Sequence, residues 1–202
     1  MTTNLKMTTI LLLVYLGSIG SRCSKTCTQH EYSFVINAKA FPDMDSIFIN
    51  DTIWIELNEP TLLKDLQTGT YVNYSSAKNL STAISFHELL GSGQFRNAAM
   101  DFESKLIQGI QVSNTNTSLL KEFQFLELNS NYIFKLGIVP KARGIYRIGL
   151  SNASNVFRRN DECSKATFTI NFKETNQHLY FNEWNSGVIV PLPNGGYCFK
   201  VK

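Results

Sequence analysis

The stretch IFINDTIWIEL, residues 47–57, decides the fold class. Ile47, Ile49, Ile53, Ile55 and Leu57 share one parity, while Phe48, Trp54 and Glu56 take the other. Successive side chains of an extended chain point to opposite faces, so alternation at period two marks a half-buried strand. Asn50-Asp51 interrupts the run with turn chemistry and predicts a turn or bulge between two pieces. Glu59-Pro60 ends it, because proline has no N–H to give to a strand ladder. Trp54, set between Ile53 and Ile55, reads as part of a core or inter-sheet face.

The same grammar recurs outward from this stretch. Short apolar or alternating runs at residues 32–41, 66–72, 84–90, 145–150, 166–172 and 197–201 read as strands. Residues 123–138 read as a hairpin that turns at Asn129-Ser130-Asn131. Residues 62–66 read as a helical turn, and residues 173–182 have room for another. Residues 98–112 fit both periods: Met100, Phe102 and Ser104 alternate, whereas Phe102, Leu106 and Ile110 share a helical face. Gly109 and the β-rich flanks decide for strand. Eight to ten short strands with no long amphipathic helix predict an all-β fold, a single immunoglobulin-like β-sandwich over residues 32–202. No repeat of 20–50 residues is present.

The chain has 202 residues, enough for one domain with a sizeable core. Its net charge is +3, and without Lys6 and Arg22 the balance is 17 positive to 16 negative. That balance predicts no electrostatic grip on nucleic acid or on an acidic membrane surface. Charged residues are 17% of the chain, below the usual ~25%, so Asn, Ser and Thr must supply much of the surface polarity.

At the N-terminus, Lys6 precedes an apolar run over residues 8–19, with the small residues Gly17, Ser18, Gly20 and Ser21 at and just past its end. A positive start, a short apolar region and small residues describe an export signal over residues 1–22. The run is shorter than the ~20 apolar residues that span a bilayer. Two cuts fit. Cleavage after Gly20, with Ser18 three residues from the cut, obeys the small-x-small rule. Cleavage before Cys23 would make that cysteine the site of lipid attachment, with Gly20 and Ser21 suitable and Arg22 a departure from the small residue wanted there.

Cys23-Ser24-Lys25 and the polar linker of residues 23–31 resemble the start of many lipoproteins of Bacteroidetes-type bacteria. FVINAKAFPDMDSIFINDTIWIELNEP (34–60), TGTYVNYSSAKNLST (68–82), IVPKARGIYRIGLSN (138–152) and GGYCFKV (195–201) are similar in style to an uncharacterised set of such envelope proteins. The resemblance covers most of the mature chain and brings no catalytic or ligand motif. It implies a lipid-anchored all-β envelope protein that works as a non-enzymatic binding or scaffolding module. Its partners would be the membrane, through the lipid, and envelope proteins or glycans. In that group, acidic residues beside the lipidated cysteine favour display outside the cell. Their absence here implies an outer-membrane anchor facing the periplasm.

The cysteines are Cys23, Cys27, Cys163 and Cys198. Export places them in a disulfide-permissive compartment. With Cys23 acylated, the best pair is Cys163 with Cys198, closing about 36 residues and contributing ~3–4 kcal/mol on the chain-entropy model. Cys27 is then a thiol or a competing partner. Without acylation, three connectivities are open. The C-x3-C spacing and three histidines do not make a common zinc site, and no cofactor is expected.

Candidate chemistry is sparse. His87-Glu88 is the nearest thing to an acid–base pair, yet adjacent strand residues face opposite ways. Asp43 with Asp45, and Asp101 with Glu103, are i, i+2 carboxylates of the kind glycoside hydrolysis needs when they share a cleft. No H-E-x-x-H, G-x-S-x-G or P-loop is present, and Gly91-Ser92-Gly93 lacks the lysine and helix of a phosphate loop. These absences predict a protein that is not an enzyme. Trp184, Tyr180 and Phe181 are candidate ligand-facing aromatics, whose flat faces suit sugar rings. They carry the alternative reading, a secreted carbohydrate-binding module. Five N-glycosylation sequons, at Asn50, Asn73, Asn79, Asn116 and Asn152, would matter only in a eukaryotic secreted protein.

Overall fold

The computed structural model describes residues 28–90, 94–112, 120–173 and 196–202. Within them the chain is all-β, apart from a 3-10 turn at Ala99–Asp101. Two sheets of seven strands carry most of it. The first contains β1 (His30–Phe41), β3 (Ile53–Pro60), β8 (Phe102–Gln108), β11 (Leu126–Leu128), β12 (Asn131–Pro140), β14 (Ala153–Arg158) and β15 (Asp161–Phe172). Its order is β11-β12-β3-β1-β15-β14, with β8 also on the free side of β12. The second contains β2 (Ser46–Ile47), β6 (Ser81–Leu89), β7 (Phe95–Asn97), β9 (Ile110–Val112), β10 (Leu120–Gln124), β13 (Gly144–Leu150) and β16 (Gly196–Val201). Its order is β2-β16-β13-β6-β10-β9, with β7 also on β6. A two-stranded sheet pairs β4 (Leu62–Lys64) with β5 (Tyr71–Asn73).

The first sheet is organised by a parallel pair. β1 lies beside β15 in unbroken register from His30↔Ser164 to Ala38↔Phe172. Both strands alternate cleanly: Phe34, Ile36 and Ala38 face inward with Ala166, Phe168 and Ile170, all buried. Each large apolar side chain taken from water contributes roughly 1.5–3 kcal/mol. The second sheet supplies the opposing face, and aromatic rings meet between the two. Phe102 of β8 stacks on Phe86 of β6 at 4.9 Å and meets Tyr146 of β13 edge-on at 4.9 Å. Phe134 of β12 meets Phe123 of β10 at 5.6 Å, and Phe172 of β15 meets Tyr197 of β16 at 5.9 Å.

Several sequence expectations change at the level of strand boundaries. Residues 47–57 are two strands in different sheets, joined through Asn50 at φ 71°. The shared parity survives because both sheets turn their inner faces to one core. The hairpin turn is formed, with Asn129 and Ser130 at φ 51° and 60°, the left-handed pair that a tight hairpin needs. Its first strand, however, is only β11; Phe123 belongs to β10, across the core. Residues 62–66 contribute β4 rather than a helical turn. Residues 98–112 break at Gly109, φ +129°, where a Cβ would stand 3.0 Å from Phe134. The break sends β9 onto β10 while β8 stays on β12. β1 begins at His30, inside the expected linker. Trp54 is not a core residue: it lies on the outer face over Gly137, with Lys135 Nζ 5.2 Å above its ring. The possible helical turn after Lys173 lies outside the described residues.

Loops are fastened by buried polar groups. Tyr74, Tyr132, Tyr146 and Tyr197 are fully buried, and each hydroxyl donates to a backbone carbonyl. Tyr74 reaches Val156 at 2.7 Å, Tyr132 reaches Tyr74, Tyr146 reaches Ala142 at 3.2 Å, and Tyr197 reaches Met44 at 3.0 Å. Burial pushes the phenols of Tyr74, Tyr146 and Tyr197 up to about 12.

Asp65 is buried at the head of the turn between β4 and β5. Its carboxylate accepts from the N–H groups of Ser33 (3.0 Å) and Thr68 (3.1 Å) and from the Thr68 hydroxyl (2.7 Å). Burial alone would raise its pKa, but these donors outweigh burial and hold it below 3.8. A depressed pKa stabilises the fold above the unfolded value, and that stabilisation is lost as pH falls through the folded pKa. Asp65→Asn is therefore expected to cost about 1–3 kcal/mol at neutral pH, with the gap to wild type closing in acid. Urea unfolding of both proteins at the two pH values measures it; an undiminished gap in acid contradicts this role.

Candidate functional site

The outer face of the second sheet carries a polar concavity. Residues 81, 83, 85 and 87 of β6 point outward, opposite the buried Thr82, Ile84 and Phe86. Three of these outward residues are small: Ser81, Ala83 and Ser85. On β13 the outward positions are Ile145, Arg147 and Gly149, with Ser151 following. Small outward side chains on adjacent strands leave a recess, and two adjoining hollows of about 540 and 500 Å3 occupy it. They share Ala83, Ser151 and Asn152.

Hydrogen bonds fix the middle of this groove. Ser151 N–H donates to the Ala83 carbonyl (2.9 Å), and Ala83 N–H returns a bond to Ser151 Oγ (2.7 Å). The Thr82 hydroxyl donates to the Ser151 carbonyl (2.9 Å). Asn152 Oδ1 accepts from Ile170 N–H of the first sheet (3.0 Å), so one residue ties the groove wall to both sheets. Beyond Asn152 the groove enters the cleft beside β14. There Lys78 N–H donates to the Phe157 carbonyl (2.6 Å), and Asn155 takes φ 54°.

The lining is chiefly neutral and hydrogen-bonding: Ser81, Ser85, Ser151, Asn152, Ser154 and Asn155. Three charges join them. Glu122 accepts from the Ser81 hydroxyl at 2.9 Å, Lys78 stands at one end and Arg147 at the other. His87 lies directly across from Arg147. Burial, and then the arginine's charge, hold the His87 pKa below 6.5, so the imidazole is neutral near pH 7.

The sequence-derived candidates are dispersed. His87 and Glu88 do face opposite ways: His87 lines the groove, and Glu88 pairs with Arg96 at 2.6 Å. Arg96 also holds Asp101 (2.5 Å), while Glu103 pairs with Lys141 (2.9 Å), so Asp101 and Glu103 have separate cationic partners. Asp43 and Asp45 lie beside Tyr197, away from the groove. Cys23, Cys27, Tyr180, Phe181 and Trp184 lie outside the described residues. Ser85 and Arg147 were not singled out from sequence, and Asn152 was noted only as a sequon. A signal was present in the small outward positions of two strand candidates far apart in the chain, but only pairing β6 with β13 turns that signal into a recess.

The bridge expected between Cys163 and Cys198 is not formed; Cys198 carries a thiol. The geometry forbids it. β15 meets β16 at Phe172 and Tyr197, and Cys163 lies nine residues back from Phe172, roughly 30 Å along an extended strand. Disulfide Cα atoms stand within ~7 Å. Cys198 pairs across from Arg147 and is 2% exposed. Burial pushes its thiol up to about 11, against a smaller lowering by Arg147.

No protein-family model matches the chain, and no curated protein matches it.

Since alkylation needs an accessible thiolate, Cys198 is expected to resist iodoacetamide at pH 8 in the native protein and to react on denaturation. Peptide mass mapping after each treatment checks this; fast native labelling of Cys198 contradicts its burial.

Proposed function

We propose that the chain is a non-enzymatic binding module of a bacterial cell envelope, with an extended polar ligand held in the groove over β6 and β13. The observation that carries this reading is the recess itself: small residues form its floor, and hydroxyls and amides rim it. Pockets that fix a ligand's orientation rely on such placed polar groups. In this reading the two packed sheets are one immunoglobulin-like β-sandwich, supported by their opposed inner faces and the parallel closure of β1 on β15. The export-type N-terminus and the lipoprotein-like run at Cys23 support a lipid anchor on the outer membrane, facing the periplasm. The abundance of hydroxyl and amide groups in the groove favours a glycan among envelope ligands, which is also the ligand class of the alternative, a secreted carbohydrate-binding module.

Ser85→Trp fills the groove floor from the outer face and leaves the core untouched. On an array of bacterial and plant polysaccharides, the wild-type protein is expected to bind a subset that Ser85→Trp, with an unchanged melting temperature, does not. Binding indifferent to Ser85→Trp removes the groove from the reading. The two localisations separate in one measurement, the intact mass of the mature N-terminal peptide from the native host. A diacylglyceryl-modified Cys23 is expected; an unmodified N-terminus at Ser21 gives the secreted form.

A further inference from the structure

We propose that Arg147 makes the groove selective for acidic glycans, by pairing with the carboxylate or sulfate of an anionic sugar. The inference rests on the groove being a glycan site. Five arginines lie among the described residues. Arg96 is paired with Glu88 and Asp101, and Arg158 with Asp161. Arg143 and Arg159 are exposed to water. Arg147 alone is partly buried with no carboxylate partner among the described residues.

Its position explains both properties. In register it stands between His87 on β6 and Cys198 on β16, neither of which supplies a negative charge near neutral pH. Its side chain lies along the sheet rather than out into water, since a Cβ on Gly196 would fall 2.4 Å from its Nε. The acidic residue lining the groove, Glu122, pairs with Ala83, four residues along β6 from His87. That is roughly 13 Å at ~3.3 Å per residue, too far for contact. Lys78, at the far end, adds a second positive charge. A guanidinium that has lost part of its hydration without gaining a counter-ion among the described residues is set to gain from an anion delivered by a ligand. Its planar fork suits a carboxylate or sulfate bound through two oxygens.

The test is calorimetric titration of the mature protein with three oligosaccharides of equal length: oligogalacturonate, a sulfated galactan oligomer and a neutral maltooligosaccharide. At least one acidic oligomer is expected to bind about tenfold or more tightly than the neutral one, weakening as salt rises. Arg147→Gln should erase the preference, Arg147→Lys should retain part of it, and Ser85→Trp should abolish binding altogether. The two acidic arms tell carboxylate from sulfate. If Arg147→Gln does not fold, the salt dependence of the wild type still decides. Equal, salt-independent affinity for neutral and acidic oligomers overturns the role of Arg147 and leaves the groove as a site. Absence of any binding that Ser85→Trp removes overturns both.

Discussion

The fold depends on the parallel pairing of β1 with β15. Parallel strands cannot be joined by a short turn, so a long stretch of chain must run between the end of β1 and the start of β15. That stretch builds the other five strands of the first sheet and every strand of the second except β16. The pair is buried on its inner face by Phe34, Ile36, Phe168 and Ile170, and Glu31 and Lys165 meet across its outer face at 2.5 Å. A slip of one residue would turn every one of these side chains to the wrong face. Register here is therefore held by the core itself.

The buried polar groups act on the chain between the strands. A hydroxyl or carboxylate taken out of water must find partners, and those partners are loop backbone. Tyr197 binds the segment that leads from β1 to β2; Tyr132 binds the Tyr74 segment, and Tyr74 in turn binds the β14 edge. Asp65 does the same for the turn leaning on β1. The wall of the groove inherits its rigidity from these contacts, because the chain around Lys78 and β14 is held at Val156 by Tyr74 and at Ile170 by Asn152.

The groove arises from a different balance. Outward residues of a sheet face water, so small ones such as Ala83, Ser85 and Gly149 bury little and add little to stability. Their value lies in the space they leave. Arg147 has the opposite economy: its partial burial without a carboxylate among the described residues works against the fold, and its described cross-strand neighbours are a histidine and a cysteine thiol. Groups that stabilise nothing, gathered in one recess, are what a binding site looks like when read from energetics.

Much of the strand content was legible in sequence because alternation follows from local geometry alone. The Asn129-Ser130 turn and the inward parity of residues 47–57 needed nothing beyond neighbouring residues. Boundaries were harder. Gly109 and Asn50 each divide one apolar run between two sheets, and the run reads the same whether its halves stay together or part. The cysteine expectation failed for the same kind of reason: strands near each other at Phe172 and Tyr197 are far apart at Cys163, and spacing in sequence carries no record of where two strands cross. By itself the sequence determined an all-β chain, its inward-facing residues and its turn chemistry, since these are set by side-chain parity and backbone preference. The tertiary structure alone decided which strands are neighbours, and so which small outward residues form a recess and which arginine stands there with no carboxylate beside it among the described residues, because both depend on contacts between residues distant in the chain.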